Sequence, residues 1–123
     1  MAYRGAVEDF RTVRNQGVPR RVPCVAQSEE FDVKWHGRYC YEELCQSGDK
    51  IYEVWSAAIR EFDYDWAWVQ IDDCFEFEPI GIACPGEGDI LRATSGVLKV
   101  GEGLDRIQTM DPLRDGRMPE KLK

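Results

Sequence analysis

The chain has 123 residues, 43% of them hydrophobic and 11% aromatic, with 23 acidic side chains against 16 basic ones for a formal charge of −7. That length holds one domain at most, and the apolar content, free of biased tracts, is enough for a packed core and too rich for a disordered tail. The acidic balance repels a phosphate backbone, so nucleic acid is not an expected partner; no stretch approaches the roughly 20 apolar residues of a membrane span, and the opening MAYRGAVEDF has no apolar signal core, so the expected location is the cytoplasm.

Residues 6–16 place Val7, Phe10 and Val13 at three-residue steps with charged residues between them and Gly17 after them, which predicts a short amphipathic helix. Val22-Pro23-Cys24-Val25-Ala26 reads as a buried strand with Pro23 near its start. Gln27 to Ser47 has no clean period and reads as a long loop with a turn of helix near Tyr41 to Leu44. Ile51, Val54, Trp55, Ala58, Ile59 and Phe62 then fall on one helical face opposite Lys50, Glu53, Arg60 and Glu61, which predicts a helix over 50–62 with Asp49 as its N-cap.

The nearly continuous apolar run 66–71 is too short for another helix and predicts a strand covered on both faces. Strand, helix, strand makes a βαβ unit with parallel strands, hence an α/β protein. Residues 74–80 predict a short helix, with Asp73 and Glu76 spaced as a capping box and Gly81 as terminator. Pro85 to Asp89 is turn-rich, 92–100 alternates weakly as an irregular strand or hairpin, and Pro119 opens a last helix that the chain leaves after one turn, as a portion of a longer protein would.

In parallel α/β sheets ligands bind outside the carboxyl ends of the strands, so Asp72, directly after the second predicted strand, is the candidate catalytic residue. A carboxylate there holds N–H-bearing groups or stabilises developing positive charge. The plainer alternative is that Asp73 caps the following helix and Asp72 is solvated beside it. Glu78 is a weaker candidate, because acids two apart without a metal partner usually form a wet face. Trp55, Trp66 and Trp68 read as core, and the lone Gly86-x-Gly88 supports no phosphate cradle. Five cysteines without a C-x-x-C read as reduced, mostly packed thiols, and the single His36 reads as a loop or surface residue, so no metal site is expected within the chain.

Glu61-Phe62-Asp63-Tyr64-Asp65-Trp66-Ala67-Trp68-Val69-Gln70-Ile71-Asp72, followed by Glu78-Pro79-Ile80-Gly81, resembles the uroporphyrinogen decarboxylase family, with its F-G-x-D-A helix end, buried strand, aspartate and E-A-L-G. Arg20-Arg21-Val22-Pro23 resembles the family's D-R-V-P-V, Ser28 to Asp32 with Gly37 and Glu42-Glu43 is similar to its methyltransferase-like members, and Asp111-Pro112 with Asp115-Gly116-Arg117-Met118-Pro119 resembles P-D-P-x-x-D-G-R-L-P. The resemblance implies a (β/α)₈ TIM barrel of about 250 residues or more, of which this chain would supply the first two or three βα units. It implies either cofactor-free decarboxylation of uroporphyrinogen in porphyrin biosynthesis or methyl transfer with a corrinoid protein and zinc. Asp72 matches the family aspartate that organises tetrapyrrole N–H groups.

The decarboxylase branch binds substrate carboxylates through R-Q-A-G-R-Y, of which only Gly37-Arg38-Tyr39 has a counterpart, making Arg38 the substrate-binding candidate beside Glu78. Glu29 and Glu30 stand where those arginines would begin and repel a polycarboxylate, and Gln70-Ile71-Asp72 replaces F-S-D, so the methyltransferase or O-demethylase branch is favoured. Zinc ligands in that branch lie in later strands; none of the cysteines here is assigned to zinc. Partners of the intact parent would be a small-molecule substrate or a corrinoid protein. The isolated chain is expected to be inactive and to self-associate through unpaired sheet edges, and the alternative class is a non-catalytic binding or assembly module.

Overall fold

Residues 3–67, 72 and 74–123 are described by the computed structural model of the chain. The first predicted helix forms as α1, Ala6–Arg14, with Glu8 and Asp9 in its first turn and Arg11 and Arg14 in its last, the charge order its dipole favours. Its apolar stripe is only partly covered, since Val7 and Val13 are both exposed. What seats the helix is Asp9, which is buried and accepts from the Tyr3 hydroxyl at 2.7 Å and from Arg20 Nε at 3.1 Å.

The first strand is β1, Val25–Ala26; Val22 lies exposed ahead of it, on the far side of Pro23. The stretch predicted as a loop then holds α2, Glu29–His36, which was not predicted, and α3, Tyr41–Leu44, which is the predicted turn of helix. The correction has a physical cause, because α2 buries Asp32 and Val33 while Phe31 and Trp35 stay exposed, so its burial does not follow the hydrophobic period.

The strongest predicted helix is α4, Gly48–Phe62, which buries Ile51, Val54, Trp55 and Ala58. Its N-cap is Ser47, whose hydroxyl accepts from Lys50 N, and not Asp49, which sits in the first turn. Next comes β2, Trp66–Ala67, which pairs in parallel with β1 in the register Val25 to Trp66 and Ala26 to Ala67. The pairing continues just below the strands, where Asp65 N donates to Cys24 O at 2.9 Å and Asp65 Oδ2 accepts from Cys24 N at 2.7 Å. Residues 68–71 of the predicted strand, and Asp73 of the predicted capping box, lie outside the described residues.

The predicted helix at 74–80 is reduced to a turn followed by a single 3₁₀ turn at Glu78–Ile80. Pro79 lacks the N–H that an α-helix needs and disfavours helical backbone at Glu78, so Phe77 N and Glu78 N both donate to Cys74 O and the helix does not grow. No strand forms over 92–100 among the described residues. Two backbone bonds, Arg92 N to Pro85 O and Thr94 N to Ala83 O, put a hairpin-like approach around the Pro85 to Asp89 turn instead. The chain closes with α5, Met118–Lys121, with Pro119 in its first turn.

Val33, Tyr41, Leu44, Cys45, Val54, Trp55, Cys74, Cys84 and Leu91 belong to one buried cluster, so the core sits on the inner faces of α2 to α4 and under the segment after β2. No described helix is long and apolar enough to cross a membrane.

α5 docks on the N-terminus of α4 through Glu120, whose carboxylate accepts from Gly48 N at 3.1 Å. A Cβ on Gly48 would stand 2.4 Å from Glu120 O. Helix propensity alone favours alanine over glycine by about 1 kcal/mol. The clash reverses that sign, so Gly48→Ala is expected to lower the melting temperature; an increase in a thermal melt followed by circular dichroism would contradict the close approach.

Candidate functional site

Asp72 follows β2 by five positions, and its side chain is 1% exposed. Every acceptor direction is used. Oδ1 accepts from Cys74 N at 2.8 Å and from Arg117 Nη2 at 3.1 Å; Oδ2 accepts from Arg117 Nη1 at 2.9 Å and from Lys121 Nζ at 3.1 Å. The two-pronged guanidinium bond is the geometry in which arginine and carboxylate bind most specifically.

Arg117 is a hub with three partners, two carboxylates and one carbonyl. Its Nε donates to Glu78 Oε2 at 2.7 Å, and Nη1 also donates to the carbonyl of Cys45 at 3.1 Å. Cys45 is the C-cap of α3, so this bond satisfies a carbonyl that the helix end leaves open. Local sequence explains how Arg117 arrives there. Asp111 and Asp115 build a turn with their own side chains, Leu113 N donating to Asp111 Oδ1 and Asp111 N to Asp115 Oδ2. Gly116 follows in the left-handed conformation and lies against Pro79, where a Cβ would approach Cγ to 2.8 Å. Lys121 is four residues after Arg117, one helical turn on, so both cations meet the same carboxylate.

The electrostatics of the cluster are balanced, with Asp72 and Glu78 against Arg117 and Lys121. Burial by itself would raise the pKa of Asp72. The Arg117 hydrogen bonds and the charges of Lys121 and Arg117 together outweigh burial and hold its carboxyl below the ordinary range. Burial would likewise lower Arg117, but its bonds to Asp72 and Glu78 raise it, so the guanidinium stays charged. The neighbouring thiols move the other way. Burial and the charge of Asp72 push Cys45 up to about 12, and burial with a bond to Cys84 pushes Cys74 up to about 11.

Of the sequence-predicted site residues, the structure brings Asp72 and Glu78 together and leaves Arg38 elsewhere. Arg38 is exposed, pairs with Glu53 Oε1 and lies over the Tyr39 ring, while Tyr39 donates to Glu53 Oε2 at 2.8 Å. In the sequence Arg117 stands only inside a motif of the family resemblance and Lys121 only in the predicted last helix, neither as a site residue. The available signal was the arginine inside Asp115-Gly116-Arg117-Met118-Pro119, a buried cation needing a buried anion.

The arrangement anchors chain segments to one another. A substrate group reaching Asp72 would have to displace Lys121, since no oxygen lone pair is left over. Among the described residues no three His, Cys, Asp or Glu side chains converge as a metal ion requires. Searches of protein-family models, curated proteins and solved structures find no match to this chain.

Proposed function

We propose that the chain forms the first βα units of a uroporphyrinogen decarboxylase-like TIM barrel, from a corrinoid-dependent methyltransferase or O-demethylase-type enzyme, and is inactive on its own. One observation carries this reading. Three stretches on which the resemblance rests, ending in Asp72, beginning with Glu78 and containing Arg117, meet in a single buried cluster although Asp72 and Arg117 are 45 positions apart. The parallel pairing of β1 with β2 across a helical crossover supports the same reading, because that pattern is the repeating unit of such a barrel.

In this reading Asp72 organises the carboxyl end of β2 by fixing Arg117 and Lys121, and Glu78 completes the clasp. Arg38 serves substrate only in the decarboxylase alternative. Glu30, exposed in α2 where that branch begins its substrate arginines, disfavours a polycarboxylate ligand and supports the methyl-transfer branch. Zinc ligands and the face that meets a corrinoid protein would come from outside these residues, and the parent enzyme would work in the cytoplasm.

Two assays on the protein that carries these residues in a complete barrel test the reading. Incubated with a methylated donor and cob(I)alamin, it is expected to form methylcobalamin, read by its absorbance; incubated with uroporphyrinogen, it is expected to release no decarboxylated porphyrin. The reverse pattern selects porphyrin biosynthesis, and silence in both assays sinks the family assignment in favour of a non-catalytic binding module. The 123-residue chain alone is expected to be silent in both.

A further inference from the structure

Charge along the chain is unevenly divided. Residues 1–23 carry five arginines and two acids, whereas residues 24–123 carry eleven basic and twenty-one acidic side chains. The basic segment borders an uncovered apolar groove. Val7 and Phe10 of α1 and Trp66 of β2 line a cavity of about 490 Å³, with Arg11 and Arg14 on its rim. Phe10 packs against Trp66 at 4.6 Å between ring centroids, yet Val7 and Trp66 remain 57% and 45% exposed. Arg11 is engaged only by an exposed contact with Glu8 at 3.6 Å, of little energetic weight, and Arg14 has no ion pair among the described residues.

The acidic part of the chain exposes the opposite kind of surface. Phe31 and Trp35 of α2 both contact Phe62 at the end of α4, at 5.5 and 4.8 Å, and they are 54% and 38% exposed. Glu30 beside Phe31, and Glu61 and Asp63 on either side of Phe62, are exposed and make no ion pair among the described residues; Lys34 beside Trp35 and Arg60 before Glu61 are exposed cations of the same stretch, leaving acids in the majority. One surface is therefore an apolar groove with two arginines at it, its one acid, Asp65, being paired with Arg21, and the other an aromatic ridge beside which carboxylates outnumber cations.

We infer that these two surfaces bind each other between copies of this chain: the Phe31, Trp35, Phe62 ridge of one copy seats in the Val7, Phe10, Trp66 groove of a second, with Glu61 and Asp63 facing Arg11 and Arg14. Aromatic and arginine side chains are those enriched where protein surfaces meet, and complementary charge at the rim fixes the docking orientation. Groove and ridge are different surfaces, so the contact is heterologous and each copy carries both halves of it. The inference stands on exposure and charge and needs no part of the enzymatic reading; the chain can self-associate whichever assay above is positive.

Sedimentation velocity of the 123-residue chain across a concentration series tests it. Association is expected to strengthen as salt is lowered, and the double variants R11E/R14E and E61R/D63R are each expected to associate about tenfold more weakly, with circular dichroism confirming that they remain folded. Mixing the two reversed variants is expected to restore association, since the rims are again opposite in sign. The two variants alter different helices, so a folding defect in one leaves the other informative. A chain that stays monomeric at every concentration overturns the inference. So does association that neither reversal weakens, the result expected if unpaired strand edges join the copies, and so does a mixture that fails to recover.

Discussion

Replacing Arg117 with methionine is expected to cost about 3 to 5 kcal/mol of folding stability, the range for removing one partner of a buried ion pair. Methionine keeps much of the volume and strips the charge. Asp72 is then left in its buried position without its two guanidinium bonds, Glu78 loses its partner, and the Cys45 carbonyl loses its donor. Small domains have about 5 to 15 kcal/mol in total, so the loss is a large share of the whole. Urea unfolding followed by tryptophan fluorescence gives the size directly. A midpoint unchanged from the parent chain would mean that the clasp is peripheral.

The same variant changes the response to acid, and the sign follows from Asp72. Its carboxyl is held below the ordinary range in the folded chain, so the stability it contributes is fully present above about pH 4 and is lost as pH falls through the lowered value. Without Arg117 the raising effect of burial is no longer outweighed, and protonation of Asp72 then relieves a buried charge. The parent chain is expected to lose stability steeply below about pH 4, and Arg117→Met to show a flatter acid limb. Parallel acid limbs in the two proteins would contradict the assignment.

Leu44→Ala is expected to cost about 3 kcal/mol, within the range for emptying a leucine site in a packed core. Leu44 is fully buried at the end of α3, a helix of four residues that is too short to persist without tertiary contacts. The side chain is thus what fixes α3 in the core, and with it the Cys45 carbonyl that Arg117 binds. Leu44→Met, which nearly conserves volume, is expected to cost less than about 1.5 kcal/mol. Equal losses for alanine and methionine in urea unfolding would show that shape and not burial governs the site.

The helix with the clearest hydrophobic period, α4, was readable from sequence because its buried residues are apolar and regularly spaced. The positions of β1 and β2 were readable as short apolar runs beside turn residues. By contrast α2 hides its helical character, since a buried aspartate takes a core position and two aromatics face outward. Ser28 before it and Gly37 after it, in the left-handed conformation, were the remaining signals. At the candidate site, Asp72 was offered by its place after the predicted strand, and Glu78 only as a weaker candidate beside it. Their common partner was not visible, because spacing along the chain says nothing about which distant cation a buried carboxylate meets. Arg38 misled for the converse reason: a motif fragment carried it to a surface ion pair.

The separation of Arg117 from its partners, 45 positions to Asp72 and 72 to Cys45, also bears on the order in which the chain folds. Closing loops of that size costs chain entropy that is returned only once both ends are already in place. The helices α2 to α4, close neighbours in sequence, collapse at lower entropic cost, and the C-terminal segment then docks onto a formed surface. Contacts made after the folding barrier act chiefly on the rate of escape from the native state. The clasp is in that sense a latch: it sets how long the folded chain lasts, while the helices set how quickly it forms.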